Sequence, residues 1–90
     1  MMVLEKEIVI ENESGLHARP AALFVQLANK FNSDITVMKD KKEVNGKSIM
    51  GILMLAADKG SKIKLKISGE DAEEAMKELE AFLKASKHEG

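Results

Sequence analysis

The chain has no cysteine, no tryptophan and no tyrosine, and only one proline among its 90 residues. Without cysteine there is no disulfide, no thiolate zinc site and no redox pair, which fits a reducing compartment. Two histidines make a metal site improbable, so no metal and no cofactor is expected. Three phenylalanines are the only aromatic residues, too few to form a stacking platform for single-stranded nucleic acid. Charge of one sign is also lacking: 14 basic and 15 acidic residues leave a net charge of −1, so nothing suggests nucleic acid as a partner. No apolar run approaches the roughly 20 residues needed to span a bilayer, so no membrane association is expected. Met1-Met2-Val3-Leu4 runs at once into Glu5, Lys6 and Glu7, with no apolar signal-peptide core. A cytoplasmic location is the expectation, and Asn12-Glu13-Ser14 is then a chance match to a glycosylation pattern.

What is present is the balance of a folded domain, 44% hydrophobic and 32% charged. One domain is expected over residues 1–90, with one modest core and no deep cleft. Leu4, Ile8 and Ile10 fall on one face of an extended stretch and Glu5, Glu7 and Glu11 on the other, with Lys6 and Val9 as exceptions. Asn12-Glu13-Ser14-Gly15 reads as a turn. The period then becomes helical: Ala21, Phe24, Leu27, Ala28 and Phe31 share a face, and Asn32-Ser33-Asp34 ends it. Ile35–Met38 reads as a strand, Asp40-Lys41-Lys42 as a turn, Glu43-Val44 as a short strand, and Asn45-Gly46 as another turn.

Ser48 is placed to cap a short helix over Ile49–Leu55. Ile63, Leu65 and Ile67 alternate with Lys62, Lys64 and Lys66, which defines the last strand and gives the lysines a solvated face. Asp71 with Glu74 resembles a capping box. Behind it Ala72, Ala75, Met76, Leu79, Phe82 and Leu83 form an apolar stripe, with Glu73, Lys77, Glu80 and Lys84 toward water. The order βαββαβα predicts an α+β fold, a two-layer sandwich in which three helices cover one face of a four-stranded sheet.

Chemistry concentrates at Gly15-Leu16-His17-Ala18-Arg19-Pro20-Ala21. His17 falls in or next to the N-cap of the first helix, where unpaired N–H groups and the macrodipole favour an anion. Arg19 adds a cation whose planar donors suit phosphate, and Pro20 lacks an N–H where that costs least. Ser14 and Gly15 allow a close approach. A neutral imidazole, with an ordinary pKa of about 6.5, is a nucleophile, and the helix end disfavours its protonation by roughly 0.3–1 kcal/mol. A phosphoryl group on the ring would be favoured by Arg19 and by the N–H groups of Ala18 and Arg19. A lone histidine at a helix start is more often a plain cap or a surface residue, so the functional reading rests on the cluster.

Ser48 has two readings, a cap or a phosphorylation site at a helix start. Gly46-Lys47-Ser48 is not a nucleotide-binding loop, because position 41 is lysine where glycine is required. Ile49, Met50, Ile52 and Leu53 are too many apolar residues for one side of a short helix. Some must be exposed, either singly or as a docking patch. His88 lies in a polar tail and is read as inert.

"SGLHARPAALFVQLANKF" followed by "NGKSIMGILML" resembles HPr, the histidine-containing phosphocarrier family of the bacterial phosphoenolpyruvate:sugar phosphotransferase system, over about Lys6 to Leu83. The resemblance implies an open-faced β-sandwich and a covalent carrier that is not itself an enzyme. It implies that His17 is phosphorylated on Nδ1, with Arg19 and Pro20 beside it. Ser48 becomes a regulatory site for a serine kinase/phosphorylase, and Ile49, Met50 and Leu53 a surface for partners. Those partners are enzyme I as donor, a sugar-specific enzyme IIA as acceptor, and a catabolite-control transcription factor. A monomer is expected. Two alternatives stay open: a regulatory paralogue of the kind that lacks the active histidine, signalling through Ser48, and a nitrogen-related phosphotransfer carrier. "LMLAADKGS", residues 53 to 61, departs from the "MSLG"-type segment common in the family, which bears on fine partner preference.

Overall fold

A computed structural model describes residues 2–85, so His88 lies outside the described residues. The elements follow the order read from the sequence: β1 Met2–Val9, α1 Ala18–Ala28, β2 Asp34–Lys39, β3 Lys42–Asn45, α2 Ile49–Leu55, β4 Lys62–Gly69 and α3 Ala72–Lys84. The strands form one antiparallel sheet in the order β1-β4-β2-β3. This is the open βαββαβα arrangement, with the helices against one face.

Alternation in β4 decides the layering. Ile63, Leu65 and Ile67 are buried, while Lys62, Lys64 and Lys66 are exposed. Register carries the same sidedness outward: Ile8 lies opposite Ile63, Val37 opposite Leu65, and Ile35 opposite Ile67. The helices bring Ala21, Phe24 and Ala28 from α1, Ile52 and Leu55 from α2, and Ala75, Leu79 and Leu83 from α3 onto that surface. Complete burial of one such leucine or isoleucine contributes about 1.5–3 kcal/mol. Phe82 is half-buried at the margin and meets Phe24 edge-on, with ring centroids 6.0 Å apart.

Three sequence expectations change. The first helix starts at Ala18, where His17 as N-cap places it, but it ends at Ala28, so the buried Phe31 lies in the turn beyond it rather than on its last turn. Lys6, out of place in its strand, stands opposite Leu65 on the helix-covered side and reaches Glu80 of α3 at 2.8 Å. Glu80 therefore turns inward between Lys6 and Lys84 rather than simply facing water, and these two ammonium groups hold its carboxyl below the usual range.

The third change concerns Asp71. It occupies the N-cap of α3 but makes no side-chain capping bond, so no capping box forms. Its carboxylate is engaged elsewhere. Oδ1 accepts from the hydroxyl and the N–H of Ser33, and Oδ2 accepts from the N–H of Asn32 at 2.8 Å. The turn after α1 is thereby tied to the start of α3. These bonds, the Ser33 hydroxyl first and the Asn32 N–H next, lower the Asp71 pKa.

A carboxylate whose pKa is lower folded than unfolded stabilises above its unfolded value, near 3.9, and loses that contribution as pH falls through its folded value. Asp71→Asn will therefore be less stable than the parent at pH 7, and the gap will narrow below about pH 4. Urea unfolding at pH 7 and pH 3 measures both gaps; equal gaps would refute the role given to the carboxylate.

Candidate functional site

The site is assembled by two loops that the sheet delivers to one end. After β1, the Ile10 N–H donates to the Ser61 carbonyl at 2.9 Å and the Gly60 N–H to the Ile10 carbonyl at 2.8 Å. The chain then turns over Asn12–Gly15. The buried Asn12 amide donates to the Gly15 carbonyl at 2.8 Å, and the Gly15 N–H donates to the Asn12 carbonyl at 3.0 Å. Next the Leu16 N–H donates to the Ala57 carbonyl at 2.8 Å, and the Leu16 side chain is buried.

Gly15 makes this approach possible. It has φ +63°, and a Cβ there would lie 2.5 Å from the Ala57 oxygen and 2.9 Å from the Asp58 Cα. Only a residue without a side chain fits both the angle and the space.

His17 follows at the N-cap of α1, with extended backbone angles of −119° and 157° and no side-chain capping bond. The plain-cap reading of this histidine is therefore not met. Its Nε2 instead lies 2.6 Å from Asp58 Oδ1. The side chains of His17 and Asp58 are 40% and 79% exposed, so the pair is open to solvent and to an incoming protein. Between His17 and Arg19, Ala18 takes φ +48°, a left-handed angle that costs a non-glycine residue about 1–3 kcal/mol. Arg19 is exposed and Pro20 is buried at the third position of the helix. The sequence sets the helix end and Arg19, both positive, beside the ring; a carboxylate touches it as well.

Asp58 is the residue that sequence reasoning missed. Its own N–H donates to the Ser61 hydroxyl at 3.1 Å, and the Ser61 N–H returns to the Asp58 carbonyl at 3.0 Å. The turn closes through Gly60 at φ +88°. The one available signal was its position in residues 53–61, the stretch that departs from the family pattern.

Ser48 caps α2 as expected, its Oγ accepting from the Gly51 N–H at 3.1 Å. In that helix Ile52 and Leu55 are buried, while Ile49, Met50 and Leu53 are exposed. Met54, 67% exposed, joins them and was not foreseen. α2 packs on α1, which brings this apolar surface to the same part of the molecule as the first helix. Among the described residues, no hydrogen bond or ion pair joins His17 to Ser48, no group of three His, Cys, Asp or Glu could hold a metal, and no helix is long and apolar enough to cross a membrane.

The open-faced βαββαβα sandwich is the fold of small phosphocarrier proteins. The chain belongs to the HPr family: the model for the PTS HPr component phosphorylation site matches residues 4–85. It is 52% identical over 81 residues to the HPr-like protein Crh of Halalkalibacterium halodurans, covering 90% of this chain and 96% of that one. It is 47% identical to the phosphocarrier protein HPr of Xylella fastidiosa, covering 86% of each chain. The crystal structure of HPr from Bacillus anthracis superposes with a TM-score of 0.88 at 51% identity, over 90% of this chain and 96% of that one. The general function is that of an HPr-like phosphocarrier of the phosphotransferase system.

Gly15→Ala will lower stability by about 1–3 kcal/mol from the backbone angle alone, and the clash with Ala57 will displace the 57–58 segment. Urea unfolding gives the first quantity. Amide chemical shifts of Leu16, Asp58 and Ser61 report the second, and unchanged shifts would show that the contact does not need glycine.

Proposed function

We propose that His17 accepts a phosphoryl group on Nδ1 from enzyme I and passes it to a sugar-specific enzyme IIA. The observation that carries this reading is the placing of His17: half-exposed at the start of an eleven-residue helix, with its side chain unused as a cap. The unpaired N–H groups of a helix start and the guanidinium of Arg19 suit the added negative charge, with Ala18 and Arg19 supplying the nearest backbone N–H groups. Pro20 completes the motif. The carrier needs no pocket of its own, because each partner brings the rest of the reacting site. Its place is the cytoplasm, with enzyme I.

Ile49, Met50 and Leu53, joined by Met54, form the docking surface in this reading. Their exposure on one short helix supports it, and methionine adapts readily to different partners. Ser48 is the regulatory site. A phosphate there would add nearly two negative charges at the edge of that surface and oppose docking by desolvation and charge. A serine kinase/phosphorylase and a catabolite-control transcription factor would be the further partners.

A second reading is favoured by one observation, the 52% identity to a protein named Crh. It would make this chain a regulator acting through Ser48. Identity to carriers named HPr is close behind, and a pure regulator has no use for a histidine at position 17.

Incubation with phosphoenolpyruvate and enzyme I at pH 8 will give a phosphoramidate signal in phosphorus NMR that acid removes. His17→Ala will abolish it with the fold intact, and a variant that still passes phosphate to enzyme IIA would refute the assignment. An acid-stable phosphoserine seen only with ATP and a kinase would favour the regulator. Ser48→Asp will slow phosphorylation of His17 about tenfold through lost docking; unchanged kinetics would remove the regulatory role of Ser48.

A further inference from the structure

We propose that Asp58 is a positioning residue for His17, holding the imidazole proton on Nε2 so that Nδ1 presents the attacking lone pair. The proposal rests on the carrier reading and adds to it the group that orients the nucleophile.

The argument begins with what a carboxylate can do. An ionised carboxylate only accepts hydrogen bonds, so a 2.6 Å contact between Asp58 Oδ1 and Nε2 requires the proton to lie on Nε2. In a neutral ring the other nitrogen, Nδ1, then carries the lone pair. Among the described residues no hydrogen bond occupies Nδ1. The contact thus selects both the tautomer and the nitrogen that reacts.

An exposed pair of this kind is ordinarily worth little, since two free side chains lose entropy in meeting. Here the backbones are fixed on both sides first. Leu16, next to His17, is bonded to Ala57, next to Asp58, at 2.8 Å. Gly15 permits that approach, and the Ser61 hydroxyl and N–H hold Asp58 at both its N–H and its carbonyl. What remains to be ordered is two short side chains. The arrangement follows the logic of an aspartate that orients a histidine by its far nitrogen.

The transfer balances with no other acid or base. The Nδ1 lone pair forms the bond to phosphorus as the bond from phosphorus to the phosphorylated donor breaks, and that electron pair returns to the donor. The Nε2 proton stays where it is. The ring becomes cationic as the new bond forms, and the Asp58 carboxylate lies against that charge. On transfer to the acceptor the N–P pair returns to Nδ1, leaving the neutral ring with its proton still on Nε2. The carrier therefore completes its cycle without exchanging a proton with solvent.

The test uses the full chain labelled with nitrogen-15 in histidine, as wild type, Asp58→Ala and Asp58→Asn. Ring nitrogen shifts at pH 8 report the tautomer, and rapid-quench phosphorylation with phosphoenolpyruvate and enzyme I reports the rate. The wild type will show an Nε2–H ring. Asp58→Ala will move the ring shifts toward a mixture of tautomers and slow phosphorylation about fivefold, the scale of an exposed charged contact. Asp58→Asn, which keeps an oxygen acceptor but not the charge, will restore the tautomer and only part of the rate. Unchanged shifts and rate in Asp58→Ala, with phosphohistidine still formed, would overturn the role of Asp58 and leave the carrier reading standing. No phosphohistidine in the wild type would overturn both.

Discussion

Val9 opposite Lys62 is the pairing on which the site depends. It ends the antiparallel ladder of β1 on β4, and the backbone bonds of Ile10 with Gly60 and Ser61 prolong it beyond the strands. The segment that leaves β1 therefore stays beside the segment that enters β4. Four residues after Asn12 the Leu16 N–H finds the Ala57 carbonyl, and the next residue on each side is His17 and Asp58. A slip of one residue would turn Ile8 out of the core and Val9 into it, since strand side chains alternate. The burial of Ile8 against an exposed Val9 thus sets the register, and the register sets the meeting of two residues that are 41 apart in sequence.

This explains which parts could be read from the sequence. Alternation in residues 63–67 and helical period in residues 21–28 and 72–83 are local signals, and those elements stand where their patterns put them, although Phe31 falls past the end of its helix. The Ser48 cap is local too, its partner lying three residues on. The missed features are long-range. Asp71 looks like the cap of its own helix, and nothing near it in sequence shows that Asn32 and Ser33 take both its oxygens. Lys6 looks like a flaw in a strand until α3 places Glu80 above it. Asp58 sits in a stretch of mixed composition with neither period. Its significance comes only from the fold.

α2 shows how the fold and the proposed docking face share one short element. Seven residues are too few to hold a helix alone. Two supports stand in for length: the Ser48 Oγ bond to the Gly51 N–H, on the order of 1 kcal/mol for such a cap, and the burial of Ile52 and Leu55. These anchors fix the rotation of the helix. With Ile52 and Leu55 inward, Ile49, Met50, Leu53 and Met54 have no core to join. The exposed apolar face is a consequence of how the helix is held, and Ser48 stands at its first turn.

The same division runs through the histidine site. The core ends at Leu16 and resumes at Pro20 and Ala21, all buried, and the three residues between them lie at the surface. Anchors on both sides can sustain the left-handed angle at Ala18, which a free loop would relax. In the carrier cycle proposed for His17, the reactive nitrogen has to meet two different proteins in turn, so it cannot be enclosed in a cavity. Order has to come from the backbone beneath. In this chain that order is supplied by a glycine contact, one N–H to carbonyl bond and a serine-closed turn. The proposed chemistry is left on two short side chains, His17 and Asp58, that remain open to solvent.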